Sequence, residues 1–122
     1  MFFSQWLIHV YTNILQERSK IAVSLKGKGN AAYQQRKFST AIDYYTRAIA
    51  VTPKPDPVFF SNRAACYVNL NPPQHDKVVE DCDAALALDR KYLKALNRRA
   101  AALEALERYE EALRGMLLLL SM

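Results

Sequence analysis

The sequence predicts an all-α fold: three tandem helix-turn-helix units, preceded by an N-terminal amphipathic helix. Three observations carry this. Apolar residues recur every three or four positions and no segment alternates as a strand would. Proline and glycine punctuation falls mainly between those runs. One spacing also repeats along the chain. Ala41, Tyr45, Ala48 and Pro53 are matched 37 residues on by Val78, Cys82, Ala85 and Arg90, and Ala112 and Met116 follow 34 residues after Val78 and Cys82.

Residues 1–18 place Phe3, Trp6 or Leu7, Val10 and Ile14 at helical spacing. This segment is expected to dock on the core, with a membrane-surface or partner-binding helix as the alternative. The repeat domain then covers 19–122, with units at about 19–53, 56–89 and 90–122. Its first helix runs from Ser19 to about Arg36. Ser39 can cap a second, which Pro53 stops after Val51. Asp56 followed by Pro57 makes a cap and first turn for a third helix to about Leu70, where Asn71-Pro72-Pro73 breaks the chain. A fourth spans Asp76 to Leu88. Asp89 can cap a fifth to about Leu106, and Arg108 to Leu120 forms the sixth.

Composition limits what such a chain can do. Its 122 residues, 51% hydrophobic and 24% charged, match one globular domain, able to bury roughly two-thirds of its unfolded surface. The two cysteines, Cys66 and Cys82, sit in apolar stretches as buried thiols do. Phe38, Tyr45, Phe59, Phe60 and Tyr67 are at core spacing. No run approaches the roughly 20 apolar residues of a membrane span, and no basic residue precedes Arg18, so the N-terminus fits neither a secretory signal nor an Arg-rich presequence. The net charge of +5, from 17 Lys and Arg against 12 Asp and Glu, favours acidic partners. Arg18, Lys20, Lys26, Lys28, Arg36 and Lys37 lie in a stretch without one acid, yet no exposed aromatics are interleaved with them, so nucleic acid is not expected.

Catalysis is also not expected. His9 and His75 have no neighbouring pattern for a triad or metal site. Lys26-Gly27-Lys28-Gly29-Asn30 lacks the residue order and preceding strand of a phosphate loop. The chain reads as a non-enzyme without cofactor or metal.

A period near 34, small residues where helices cross (Gly29, Ala64 and Ala100) and a proline after the second helix resemble the tetratricopeptide repeat, with Arg90 in place of the second proline. That resemblance implies units stacked in a right-handed superhelix whose first helices line a concave groove. The last unit of such an array normally has a capping helix. Here Met116, Leu117, Leu118, Leu119 and Leu120 cannot all face inward from one helix. They are expected to be covered by the N-terminal helix, by a second copy or by further sequence. A homodimer through Phe3, Trp6, Leu7 and Val10 together with Met116 to Leu120 is the alternative function, with a weak anion or nucleic-acid binder as a further one.

At groove positions, Lys26 and Asn30 are four apart on one helix, Lys94 and Arg98 repeat that spacing, and Asn62 lies between them. Three cationic and two carboxamide side chains without an acid are either solvated groove residues or a site for an anion, and a carboxylate supplies acceptors for all of them. Leu25 to Asn30, Ser61 to Ala65 and Lys94 to Ala100 resemble the signature segments of carboxylate-clamp tetratricopeptide domains. Those domains bind the Glu-Glu-Val-Asp C-terminal tails of cytosolic heat-shock chaperones. The resemblance implies that Lys26, Asn30 and Asn62 hold the terminal main-chain carboxylate, and Lys94 and Arg98 the side chain of the final Asp.

Within that group, Lys54 to Tyr67, Lys77 to Cys82 and Tyr92 to Ala100 are most similar to fungal forms of the large import receptor of the mitochondrial outer-membrane translocase. Neither the receptor's membrane anchor nor its long C-terminal repeat array is expected among these 122 residues. Chaperone docking, in the cytoplasm or at the cytosolic face of that membrane, is therefore the expected function.

Overall fold

The computed structural model describes residues 2–121, and among them every regular element is helical. The six helices are α1 (Phe2–Gln34), α2 (Phe38–Val51), α3 (Pro57–Val68), α4 (His75–Leu88), α5 (Leu93–Ala105) and α6 (Tyr109–Leu120). Each packs on the next along the chain, and α3 also meets α5, which builds three stacked helix pairs with α1, α3 and α5 as the first members. The repeat shows in the backbone as well as in the spacing. The turns after α1 and α5 each hold a residue in the left-handed region, Arg36 at φ 59° and Glu107 at φ 60°. They also share their hydrogen bonds, Lys37 N to the Ala32 carbonyl at 2.9 Å and Arg108 N to the Leu103 carbonyl at 2.8 Å.

The break expected near residue 18 is absent, and α1 runs unbroken for 33 residues. Leu15 to Leu25 contains no glycine or proline and is rich in good helix formers. Glu17 and Lys20 pair across one turn at 3.2 Å. Because the helix continues straight on, its N-terminal half cannot dock on the core: Phe3 is 71% and Trp6 58% exposed. The first link from α1 to α2 is Arg18 Nε donating to the Val51 carbonyl at 3.1 Å, where α2 ends. No packed face joins α1 to α6, so the N-terminal helix does not cover Met116 to Leu120 either.

Two caps also differ from expectation. α2 begins at Phe38 with Lys37 at its N-cap instead of Ser39, because the tight left-handed turn at Arg36 lets the Lys37 carbonyl accept from Ala41 N at 2.9 Å. α5 begins at Leu93 rather than after Asp89, whose carboxylate closes a local turn on Lys91 N at 3.1 Å. Asp56 caps α3 as expected, accepting from Val58 N at 2.8 Å. At the other end Asn69 donates from Nδ2 to the Ala65 carbonyl at 2.8 Å, and α3 stops at Val68, before Leu70.

The core falls into three clusters, two joining α1, α2 and α3 and one joining α3, α4 and α5. Ala41, Tyr45, Ala48, Ala64, Val78, Cys82 and Ala85 are buried as the repeat requires, with Phe59 among them and Phe38, Phe60 and Tyr67 at the margin. The third pair is looser. Ala100 is only half-buried, α6 buries no residue fully, and Met116 and Leu120 are 55% and 80% exposed.

Burial pushes the Cys66 and Cys82 thiols up to about 12 from an ordinary 9, and the Tyr45 hydroxyl up to about 12 from 10. In each case the folded state favours the protonated group. This stability is complete below the unfolded pKa values and is lost as pH rises from about 9 towards 12. Thermal melts in reductant are expected to be level from pH 7 to 8.5 and to fall progressively above pH 9. Replacing Cys82 with alanine should flatten that alkaline decline.

Candidate functional site

α1, α3 and α5 each contribute one face to a groove. Its centre is a hollow of about 320 Å³ lined by Asn30, Tyr33, Tyr45, Asn62 and Arg98, among others. A second hollow of about 210 Å³ shares Tyr33, Ala65 and Arg98 with it and extends towards Val68 and His75. No carboxylate lines either space.

The position of Asn30 is set by a close helix approach. Gly29 faces the Tyr45 ring, and a Cβ there would lie 2.5 Å from Tyr45 Cε1, so a residue with a side chain would push α2 away. With glycine, the Tyr45 hydroxyl reaches α1 and donates to Asn30 Oδ1 at 2.6 Å. Asn62 Nδ2 donates to the same oxygen at 3.4 Å. Both donors occupy the carbonyl side of the Asn30 amide, which leaves its NH₂ group for the groove. With its pKa at about 12 the Tyr45 hydroxyl keeps its proton at physiological pH and remains a donor.

Arg98 is held in the same manner from α5. One terminal nitrogen, NH1, donates to Ser61 Oγ at 2.5 Å and to the Ser61 carbonyl at 3.0 Å. Ser61 is fully buried, so its two oxygens are satisfied by this arginine, and the rest of the guanidinium is available as a fixed fork.

The structure therefore brings Asn30, Asn62 and Arg98 together. Lys26 and Lys94 stand one turn before Asn30 and Arg98 and do not line the central hollow. The Lys26 ammonium lies 5.8 Å from the centre of the Phe59 ring, and Lys94 is exposed. Two positioning residues escaped the sequence reading, which took Tyr45 as core and gave Ser61 no role. The available signals were a tyrosine where phenylalanine would fill the same space, and a serine in an apolar helix; either hydroxyl needs a partner when buried.

A larger hollow of about 600 Å³ lies between α4, α5 and α6, where three acids pair with three of the four lining arginines and Arg90 is the fourth. Arg99 pairs with Asp83 at 2.6 Å, Arg108 with Glu111 at 2.6 Å and Arg114 with Glu110 at 3.5 Å. Among the described residues Lys26, Lys94 and Arg98 form no ion pair, and the central hollow, unlike this one, has no acid in its lining. Among the described residues no cluster of potential metal ligands occurs, and no helix is long and apolar enough to cross a membrane.

No protein-family model matches the chain. It is 43% identical over 98 residues to the mitochondrial import receptor subunit TOM70 of Saccharomyces cerevisiae, a match that covers 80% of this chain but 15% of the receptor. Among solved structures, the first TPR domain of Spaghetti (RPAP3) bound to the HSP90 peptide SRMEEVD superposes with a TM-score of 0.73 at 40% identity, covering 84% of this chain and 81% of that one. The second TPR domain of human RPAP3, in complex with the HSP70 peptide SGPTIEEVD, gives a TM-score of 0.75 at 31% identity over 84% and 83% of the two chains.

Proposed function

The chain belongs to the tetratricopeptide-repeat family, and from that premise we propose that it is a non-enzymatic docking module for the acidic C-terminal tails of heat-shock chaperones. The observation that carries this reading is the groove: Asn30, Asn62 and Arg98 converge on one hollow, and no carboxylate lines it. A peptide's C-terminal carboxylate supplies what is missing. The Asn30 NH₂ and the Asn62 amide, with the Lys26 ammonium one turn away, hold the terminal main-chain carboxylate. Arg98 and Lys94 take the side chain of the last residue. Both peptides seen on the related domains end in Glu-Val-Asp, which supports an aspartate there.

Affinity in the micromolar range, about −8 kcal/mol, is expected, weakening with salt because the attraction is between partly solvated charges. The likeness to the yeast receptor supports a place for this docking step at the cytosolic face of the mitochondrial outer membrane, where chaperone-bound precursors would be received.

Calorimetric titration tests the reading with two peptides ending in Glu-Glu-Val-Asp, one with a free C-terminal carboxylate and one amidated. The amidated peptide is expected to bind at least tenfold more weakly, since it removes the charge that the Asn30 side of the groove receives. Equal affinities would overturn the assignment.

A further inference from the structure

The N-terminal half of α1 carries an apolar seam that is in register with the part of the same helix buried against α2. Phe3, Leu7, Val10 and Ile14 follow a four-three-four spacing, and Phe3, Leu7 and Ile14 lie five full helical turns before Ile21, buried Leu25 and buried Ala32, on the same line of the helix. The face that packs on α2 below Arg18 thus continues above it, where α2 has already ended. Trp6 and Tyr11 flank the seam and are exposed.

We propose that this seam pairs with the same seam of a second copy, giving a two-fold antiparallel dimer through residues 3–16 of α1. Three observations favour this occupant. The first is size: the exposed parts of Phe3, Trp6, Leu7, Tyr11 and Ile14 amount to roughly 600 Å² when large side chains bring about 150–250 Å² each. A stable interface needs about 800 Å² per partner. The second is charge. No Asp, Glu, Lys or Arg occurs from Phe2 to Gln16, so two copies face each other without like charges. The polar arc of Gln5, His9, Thr12, Asn13 and Gln16 also lacks the lysine and arginine that a helix lying on a membrane usually carries there.

The third is geometry, which selects the direction. In a parallel pair the two α2 helices would meet on the seam beyond Arg18 and force the helices apart. In an antiparallel pair each α1 tip points at the end of the partner's α2, and the two repeat domains lie at opposite ends. A two-fold pair of this kind is self-complementary and closed, and the 3-4 spacing gives the knobs-into-holes contacts that such helices make. The peptide groove plays no part in it.

The full 122-residue chain tests the proposal. Light scattering at tens of micromolar is expected to give twice the 13.9 kDa chain mass. The fluorescence of Trp6, the sole tryptophan, is expected to shift to the blue as concentration rises. Leu7→Glu combined with Ile14→Glu should yield a monomer of unchanged helical circular dichroism that still binds the acidic peptide with wild-type affinity. Leu117→Glu, on the exposed face of α6, should leave the dimer intact. A wild-type monomer whose Trp6 shifts only with added lipid vesicles would overturn the proposal in favour of a membrane surface. A dimer that survives the α1 double substitution, or one lost in Leu117→Glu, would overturn it as well.

Discussion

Replacing Arg98 with alanine is expected to weaken binding of an acidic tail peptide by about 10- to 150-fold, which corresponds to losing one charge-assisted interaction of about 1.5–3 kcal/mol. The effect is large because Arg98 is positioned before the peptide arrives. Its NH1 is fixed on both oxygens of Ser61, so little side-chain freedom remains to be lost on binding. Lys94, exposed one turn earlier on α5, has no such anchor. Lys94→Ala should therefore cost less, about tenfold, and leave the melting temperature unchanged. Arg98→Ala should also lower the melting temperature by a few degrees, since the buried Ser61 hydroxyl and carbonyl lose their partner. Titrations of both variants against the same peptide check the ranking; wild-type affinity in Arg98→Ala would remove Arg98 from the site.

The largest loss of stability is expected from Arg63→Ala. Arg63 grips Asp81 with two bonds, Nε to Oδ2 at 2.8 Å and NH2 to Oδ1 at 2.6 Å, and reaches Thr46 Oγ1 at 3.1 Å, which ties α3 to both α4 and α2. The hydrogen bond to Asp81 is the main reason the guanidinium pKa lies above its ordinary value. The Asp81 side chain is 6% exposed, so deleting its partner strands a carboxylate where water cannot replace the arginine. Such a loss costs about 3–5 kcal/mol, or about 10–20 °C in melting temperature for a domain of this size. Removing both charges, as Arg63→Met with Asp81→Leu, should be close to neutral, because the desolvation cost of the pair disappears with its attraction. Thermal melts of the single and double variants separate the two outcomes.

The division into helix pairs was legible because the repeat fixes the spacing of buried small residues, and Ala41, Ala48, Ala64 and Ala85 are buried where it puts them. Groove residues Asn30, Asn62 and Arg98 were legible from helical spacing: Asn62 and Arg98 lie two residues before Ala64 and Ala100, and Asn30, one after Gly29, is three residues on, on the same helix face. What the sequence hid depends on distances between helices. The Tyr45 to Asn30 bond exists because Gly29 lets two helices approach, and the Arg98 to Ser61 bond joins residues 37 apart in the chain. Periodicity could not tell that the apolar stripe of residues 3–14 would find no helix beside it. Nor could cap preference foresee that the turn at Arg36 would start α2 before Ser39.

The uninterrupted course of α1 also makes it a gauge. Thirty-three residues at 1.5 Å per residue span about 50 Å, and Asn30 sits on the same rigid rod as Phe3. With no hinge between them, whatever engages the tip of α1 fixes the distance and the rotation angle of the groove together. Two grooves set by antiparallel tips would stand about 60 Å apart, each 21 residues of helix from the two-fold axis. That span suits a partner offering two tails, which could then bind with avidity through one rigid spacer.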